Sequence, residues 1–175
     1  MDYIKLGAIV FLLLLSGFFS SSETAFFSLN KIMFRRRKLR KDPAFSTIVT
    51  LLKNPGTFLT TVLIGNEIVN ISISVVTAAL VYAVAKDSFS GTALPFISMA
   101  VTVPVLLIFG EIIPKTIAVN FPERIARINS FVLYPFSRAI TPLRMVLNAA
   151  AKVFIRLFVK DPTLQPVDTV HIDED

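Results

Sequence analysis

The sequence predicts an all-α integral membrane protein with three transmembrane helices and additional juxtamembrane amphipathic helices. The chain is 54% hydrophobic with a mean hydropathy of +0.69, values too high for an ordinary soluble domain. Three apolar segments, at about residues 6–29, 58–85 and 93–113, are each long enough to cross a bilayer. The basic residues flank these segments, which is typical of membrane proteins and argues against nucleic-acid binding.

The distribution of charge predicts the orientation of the spans. The segment Lys31–Lys41 carries seven basic residues in eleven positions. Because basic loops stay on the cytoplasmic side, the N-terminus is expected outside and the C-terminus in the cytoplasm. Only Lys5 and Lys86, of 18 lysines and arginines, then lie outside. This pattern predicts a multi-pass protein of the cell (inner) membrane.

Two regions at the inner surface, at about residues 31–53 and 122–160, are predicted to form interfacial helices. Pro122 suits a first helical turn, whereas Pro135 and Pro142 are expected to interrupt the second region. From Leu143 onward, apolar residues line one face and basic residues recur on another. We expect this helix to lie on the anionic inner leaflet, or alternatively to pack on a partner subunit. Residues 161–175 are expected to begin a linker to a missing cytoplasmic domain, so the transmembrane module is residues 1–160.

Each predicted span contains one acidic residue: Glu23, Glu67 or Glu111. A carboxylate at the bilayer centre costs about 2.5–3.5 kcal/mol on insertion scales, so each needs a partner. At the α-helical 100° per residue, Glu23 shares one narrow face of its helix with Ser16 and Ser20. The neighbouring Ser21 and Ser22 lie off this face and are expected to bond to their own backbone or to another helix.

The second span carries a polar stripe that covers about 100° of arc. Its members are an acid, two amides and two hydroxyls: Glu67, Asn66, Asn70, Ser74 and Thr77. In lipid these groups need partners, which a bound ion or a neighbouring helix can supply.

The third span ends on the motif Gly110-Glu111-Ile112-Ile113-Pro114. Pro114 has no N–H for the Gly110 carbonyl, so a free carbonyl is expected beside the Glu111 carboxylate. Two hard oxygens side by side are what Mg2+ and similar cations bind. The alternative is that the motif only ends a membrane helix.

The side chains available in the spans favour an oxygen-only cation site. The chain has no cysteine, and its single histidine, His171, lies in the acidic tail. Zinc is therefore disfavoured against Mg2+, Ca2+, Na+ or Mn2+. The three polar sets can meet in the inner half of the membrane, as in a transporter open to the cytoplasm. No enzyme is predicted, because the spans lack paired aspartates, a His-Glu-x-x-His motif and an activated serine.

Three motifs resemble the transmembrane module of the CorC / cyclin M (CNNM) family. They are Phe18–Ala25, the run from Asn54-Pro55 to Gly65–Asn70, and Phe109–Lys115, and they occur in the family's order and spacing. The resemblance implies a homodimeric Mg2+ transporter, thought to export Mg2+ with Na+ entry as the driving force. It also implies cytoplasmic CBS domains that bind ATP and are missing from this chain.

The resemblance also implies which residues bind ions. The Mg2+ ligands carried over by motif are Ser20, Asn66, Asn70, the Gly110 carbonyl and Glu111. The mammalian branch differs at the positions of Glu23 and Glu67, so these two, with Ser16, are assigned to a coupling ion or a supporting role. Pro114 is the helix break that exposes the carbonyl. In the alternative function, the module is a membrane anchor and sensor whose polar faces only hold the dimer together.

Overall fold

The computed structural model describes residues 2–29, 43–85, 88–89 and 91–158, without the side chains of residues 2, 43, 148 and 151–158. Within these residues the chain is helical and contains no strand. The elements are α1 (Asp2–Phe27), α2 (Pro43–Leu52), α3 (Pro55–Ala85), α4 (Leu94–Val105), a π-helical segment (Leu106–Ile112), α5 (Ile113–Asn120), α6 (Pro122–Ala139) and α7 (Thr141–Phe158). The predicted all-α fold class is confirmed.

Three helical stretches are long and apolar enough to cross a membrane: Tyr3–Phe27, Pro55–Ala85 and Leu94–Asn120. The shortest has 25 residues, or about 38 Å at 1.5 Å per residue, against a hydrocarbon core of about 30 Å. Three such helices are what the hydropathy of the sequence predicted.

The third stretch does not end at Pro114, so the interpretation of its motif as a simple helix end is wrong. The helix passes through the π-helical segment and continues as α5 to Asn120. Pro114 lies in the first turn of α5, where a missing N–H is tolerated. The Ile113 N–H donates to the Ile108 carbonyl, five residues back, which is the π-helical bonding pattern.

Helix α1 lies at the centre of the fold and packs against α3, the π-helical segment, α5 and α6. Its phenylalanines form much of the core. The ring of Phe26 stacks on that of Phe58 in α3 at a centroid distance of 4.6 Å, and Phe19 contacts Phe136 of α6 at 5.0 Å. These buried contacts fix the first span against the second and against the juxtamembrane helices.

The predicted interfacial regions are partly described. Residues 43–52 form α2, which packs on α6, whereas residues 31–42 and the predicted linker 161–175 lie outside the described residues. Pro135 does not interrupt the second region, contrary to expectation, and lies inside α6. It is exposed there, so the carbonyl that it leaves unpaired can reach water. The break falls at Ile140, and Pro142 lies in the first turn of α7.

Candidate cation site between the three spans

The site is centred on Ser16, whose side chain is fully buried in α1. Its hydroxyl lies 2.9 Å from Oδ1 of Asn70 and 3.4 Å from Oδ1 of Asn66, both in α3. A hydroxyl has one proton, so it donates mainly to the nearer oxygen. Two amide oxygens from the second span therefore converge on one point of the first.

The third span reaches the same point through Gly110. A Cβ added at Gly110 would lie 2.8 Å from Ser16 Oγ and 3.4 Å from Ser16 Cβ, so a side chain does not fit there. One residue along α1, a Cβ at Gly17 would lie 2.9 Å from Cγ of Pro114. These two glycines let the backbones of the first and third spans approach closely, as small residues do in membrane proteins.

A third glycine sets the approach of the second span. A Cβ added at Gly65 would lie 2.5 Å from the ring of Phe19, so only glycine leaves room for that ring. Gly65 directly precedes Asn66 in α3. The close contact between Gly65 and Phe19 therefore helps to bring the amide oxygens of the second span to Ser16.

The hydroxyl of Ser20, one turn below Ser16, is buried and has no hydrogen-bond partner in the described part of the chain. Leaving such a group unpaired costs about 1–3 kcal/mol. Ser20 is one of the predicted cation ligands, and a bound cation would give its oxygen a partner. This orphaned oxygen fits the predicted use of the site.

Glu111 lies in the π-helical segment directly after Gly110 and is half-buried. Among the described residues its carboxylate makes neither a hydrogen bond nor an ion pair. π-Helical turns occur frequently at functional sites, where they redirect side chains. An unpaired carboxylate in a membrane span requires a cation or a proton, so Glu111 is the strongest charge available to a bound ion.

The two remaining carboxylates of the spans are arranged differently. Glu23 Oε2 lies 3.8 Å from Nζ of Lys115 in α5, so this acid already has a cationic partner. Glu67 is exposed on α3 and has no partner among the described residues. No three acidic, histidine or cysteine side chains gather within the described chain. At most two such side chains of the described chain could therefore bind one cation here, and its other ligands would be neutral oxygens.

Sequence reasoning missed three polar contacts that fix the surroundings of the site. They are the pairing of Lys115 with Glu23, the bond from Asn129 of α6 to the Ser22 hydroxyl at 2.8 Å, and the bond from Arg144 of α7 to the Thr61 hydroxyl at 3.1 Å. The sequence signals were present: a lysine one turn after Glu111, and single polar residues on amphipathic helices.

The expected role of Ser21 and Ser22 is confirmed. Both hydroxyls donate to the Phe18 carbonyl in their own helix, and both accept from the Asn129 amide, at 3.4 Å for Ser21 and 2.8 Å for Ser22. These serines therefore join α1 to α6 and are already satisfied. Their neighbour Ser20 differs from them because its hydroxyl has no partner in the described part of the chain.

Comparison with known proteins identifies the family. Residues 7–174 match the family model described as the cyclin M transmembrane N-terminal domain. The chain is 33% identical over 143 residues to the UPF0053 inner membrane protein YfjD of Escherichia coli strain K12, a match that covers 82% of this chain and 32% of the relative.

Two further relatives extend the range of the family. A chloroplastic DUF21 domain-containing protein of Arabidopsis thaliana is 35% identical over 148 residues, covering 79% of this chain and 22% of that protein. The polyamine export protein of Haemophilus influenzae is 28% identical over 163 residues, covering 86% of this chain and 37% of that protein. The chain thus spans between 22% and 37% of the length of these three relatives. A family model matched over residues 7–174 shows that this membrane protein belongs to the CNNM (cyclin M transmembrane domain) family.

Proposed function

We propose that this chain is the membrane module of a Mg2+ transporter that exports Mg2+ in exchange for entering Na+. Dehydrated Mg2+ would bind between the three spans, on a path open to the cytoplasm. The observation that carries the proposal is the meeting of all three spans at Ser16. Two amide oxygens face its hydroxyl there, and the backbone of Gly110 lies against it.

The chemistry of the surrounding groups supports Mg2+ as cargo. Mg2+ prefers six oxygen ligands at about 2.0–2.1 Å and gives up its water reluctantly. Ser20, Asn66, Asn70, Gly110 and Glu111 would supply a hydroxyl, two amide oxygens, a carbonyl and a carboxylate. With a single full counter-charge, binding would be of modest affinity, and modest affinity permits release on the other side of the membrane.

The remaining parts of the proposal concern coupling and assembly. Ser16, Glu23 and Glu67 are proposed to serve a coupling Na+ or to support the Mg2+ ligands. The working unit is proposed to be a homodimer in the inner membrane, with an outer N-terminus and a cytoplasmic C-terminus. Because the relatives are longer, cytoplasmic CBS domains that bind ATP are proposed for the whole protein.

The direct test is ion flux with the purified chain in liposomes that contain a Mg2+-sensitive dye. We expect Mg2+ flux that depends on a Na+ gradient and is abolished in Glu111→Ala, while the variant still forms the dimer. Reversing the Na+ gradient should reverse the direction of flux. Retained flux in Glu111→Ala would show that Glu111 is not the central ligand of the transported ion.

A polyamine is the second candidate cargo, because one relative is named a polyamine export protein. Polyamines are extended cations that need several separated acceptors, whereas Mg2+ needs its oxygens around one point. The convergence on Ser16 favours the compact ion. Radiolabelled spermidine in the same liposomes separates the two: spermidine flux without Mg2+ flux would favour the second candidate. Absence of any flux and of any cation binding would favour the anchor-and-sensor alternative.

A further inference from the structure

Lys115 lies close to Glu23 and follows Glu111 by four residues, and the proposed transport cycle would use both acids. Its Nζ is 3.8 Å from Oε2 of Glu23, and the two side chains are 44% and 30% exposed. Glu23 is in α1 and Lys115 is in α5, so the ion pair joins the first and third spans. Neither group is buried deeply enough to be locked in place, which leaves the pair free to exchange partners.

The ion pair lies on one particular side of the candidate cation site. Glu23 follows Ser16 by seven residues along α1, a rise of about 10 Å. Lys115 follows Gly110, the residue that packs on Ser16, by five. Both therefore lie beyond the Ser16–Gly110 contact, toward the C-terminal end of α1. This is the end proposed to face the cytoplasm, so an ion entering from that side would pass the pair.

Lys115 is also within reach of Glu111. It follows Glu111 by four residues, about one helical turn, a spacing at which an acid and a following lysine interact. The lysine ammonium is carried on a flexible four-carbon chain, so it can reach one acid or the other. In the described arrangement it pairs with Glu23, and Glu111 has no partner. That arrangement leaves Glu111 ready for an incoming cation.

We propose that Lys115 is a tethered counter-cation that exchanges between Glu23 and Glu111, and that Glu23 sets the affinity of the site by holding it away from Glu111. Lys115 competes with an arriving cation for the Glu111 carboxylate. Glu23 weakens that competition by pairing with the lysine, as it does in the described structure. Lys115 and Glu23 are thus positioning residues, and the inference rests on the proposed function because it requires a cation at Glu111.

A double-mutant cycle in Mg2+ binding tests this exchange. The variants are Glu23→Gln, Lys115→Gln and the double variant, purified without Na+ and titrated with Mg2+ by calorimetry. Glu23→Gln frees Lys115 to compete at Glu111, so we expect binding to weaken about tenfold. Lys115→Gln removes the competitor, so binding should tighten by about the same factor. The double variant should bind like Lys115→Gln, because Glu23 acts only through the lysine.

Two controls keep the cycle interpretable. Lys115→Arg keeps the charge, so its Mg2+ affinity should lie within about threefold of that of the unmodified protein. A general packing defect would not give this result. Lys5→Gln removes a lysine at the opposite end of α1, where Lys5 bonds the Ala79 carbonyl, and should leave the affinity unchanged.

Several results would overturn the inference. If Glu23→Gln weakens binding equally with and without Lys115, then Glu23 acts on the ion directly. If no variant alters the affinity of a protein that does bind Mg2+, the ion pair is only structural, and the proposed function survives. If the unmodified protein shows no saturable binding, the inference and the proposed site fall together.

Discussion

The Ser16 hydroxyl lies 2.9 Å from the amide oxygen of Asn70 and joins the first and second spans at the point where Gly110 of the third span approaches. This contact brings oxygens from two helices to the place where the backbone of a third approaches, inside an apolar fold. Hydrogen bonds between membrane helices contribute only about 0.6 kcal/mol on average, so holding the helices together is a small part of what it can do. Its larger effect is to aim the Asn70 oxygen.

Two serines of α1, Ser20 and Ser22, give the first prediction. Ser20 is buried without a partner, whereas Ser22 bonds both the Phe18 carbonyl and Asn129. Ser20→Ala should leave the stability of the ion-free protein unchanged or raise it by up to about 1 kcal/mol, yet weaken Mg2+ binding at least about tenfold. Ser22→Ala should do the reverse, lowering stability by about 1 kcal/mol without altering affinity. Thermal melting and calorimetry on both variants measure the two effects, and a loss of stability in Ser20→Ala would contradict this account.

Gly110 gives the second prediction. A Cβ at Gly110 would lie 2.8 Å from Ser16 Oγ and 3.4 Å from Ser16 Cβ, so Gly110→Ala must displace the Ser16 side chain or the third span. Overpacking of this kind costs about 1–3 kcal/mol, and the displacement should also abolish Mg2+ binding. Gly7→Ala in α1 is the matched control, because nothing lies within 4 Å of its added Cβ. Melting curves should separate the two variants, and equal stability would show that the close approach is not required.

The contact of α7 with α3 gives the third prediction. Arg144 donates to the buried Thr61 hydroxyl at 3.1 Å, and Thr61 in turn donates to the Thr57 carbonyl of its own helix. Arg144→Met should lower the free energy of unfolding by about 1 kcal/mol, because one hydrogen bond from a charged donor is lost. Mg2+ affinity should not change. Arg124→Met removes an exposed arginine of α6 and serves as the control. An equal effect of both variants would mean that the charge matters and the contact does not.

The orientation of the spans gives the fourth prediction. Because the chain contains no cysteine, single cysteines can be introduced without background labelling. Ser88 lies in the described turn between the second and third spans, and Lys53 lies between α2 and α3; both are exposed. A membrane-impermeant thiol reagent added to intact cells should label Ser88→Cys and spare Lys53→Cys. The opposite labelling pattern would invert the proposed topology.

The sequence predicted the parts of this fold that depend on local pattern. Hydropathy located three spans, and the 100° repeat placed Asn66 and Asn70 on one face of the second, where they both meet Ser16. The continuation of the third helix through Pro114 was not predicted, because a proline ends most helices and the π-helical turn that accommodates it has no sequence signature.

Contacts between helices were harder to predict than the helices themselves. Glu23, Glu67 and Glu111 are equivalent in the sequence, one in each span. Among the described residues, however, one pairs with Lys115, one is exposed and one is half-buried without a partner. Their difference depends on which helix faces which, and that is set by the glycines at positions 17, 65 and 110. A glycine in a membrane span marks a close approach, but the partner that approaches is known only from the fold.

The measurement that tests the central claim most directly is calorimetric titration of the purified chain with Mg2+, comparing the unmodified protein with Glu111→Ala and using Ca2+ and Na+ as competitors. The account predicts saturable Mg2+ binding of modest affinity that is lost in Glu111→Ala, while the folded dimer persists. Equal Mg2+ binding by both proteins would contradict the assignment of Glu111. An intact dimer that binds no cation in either form would contradict the cation site itself.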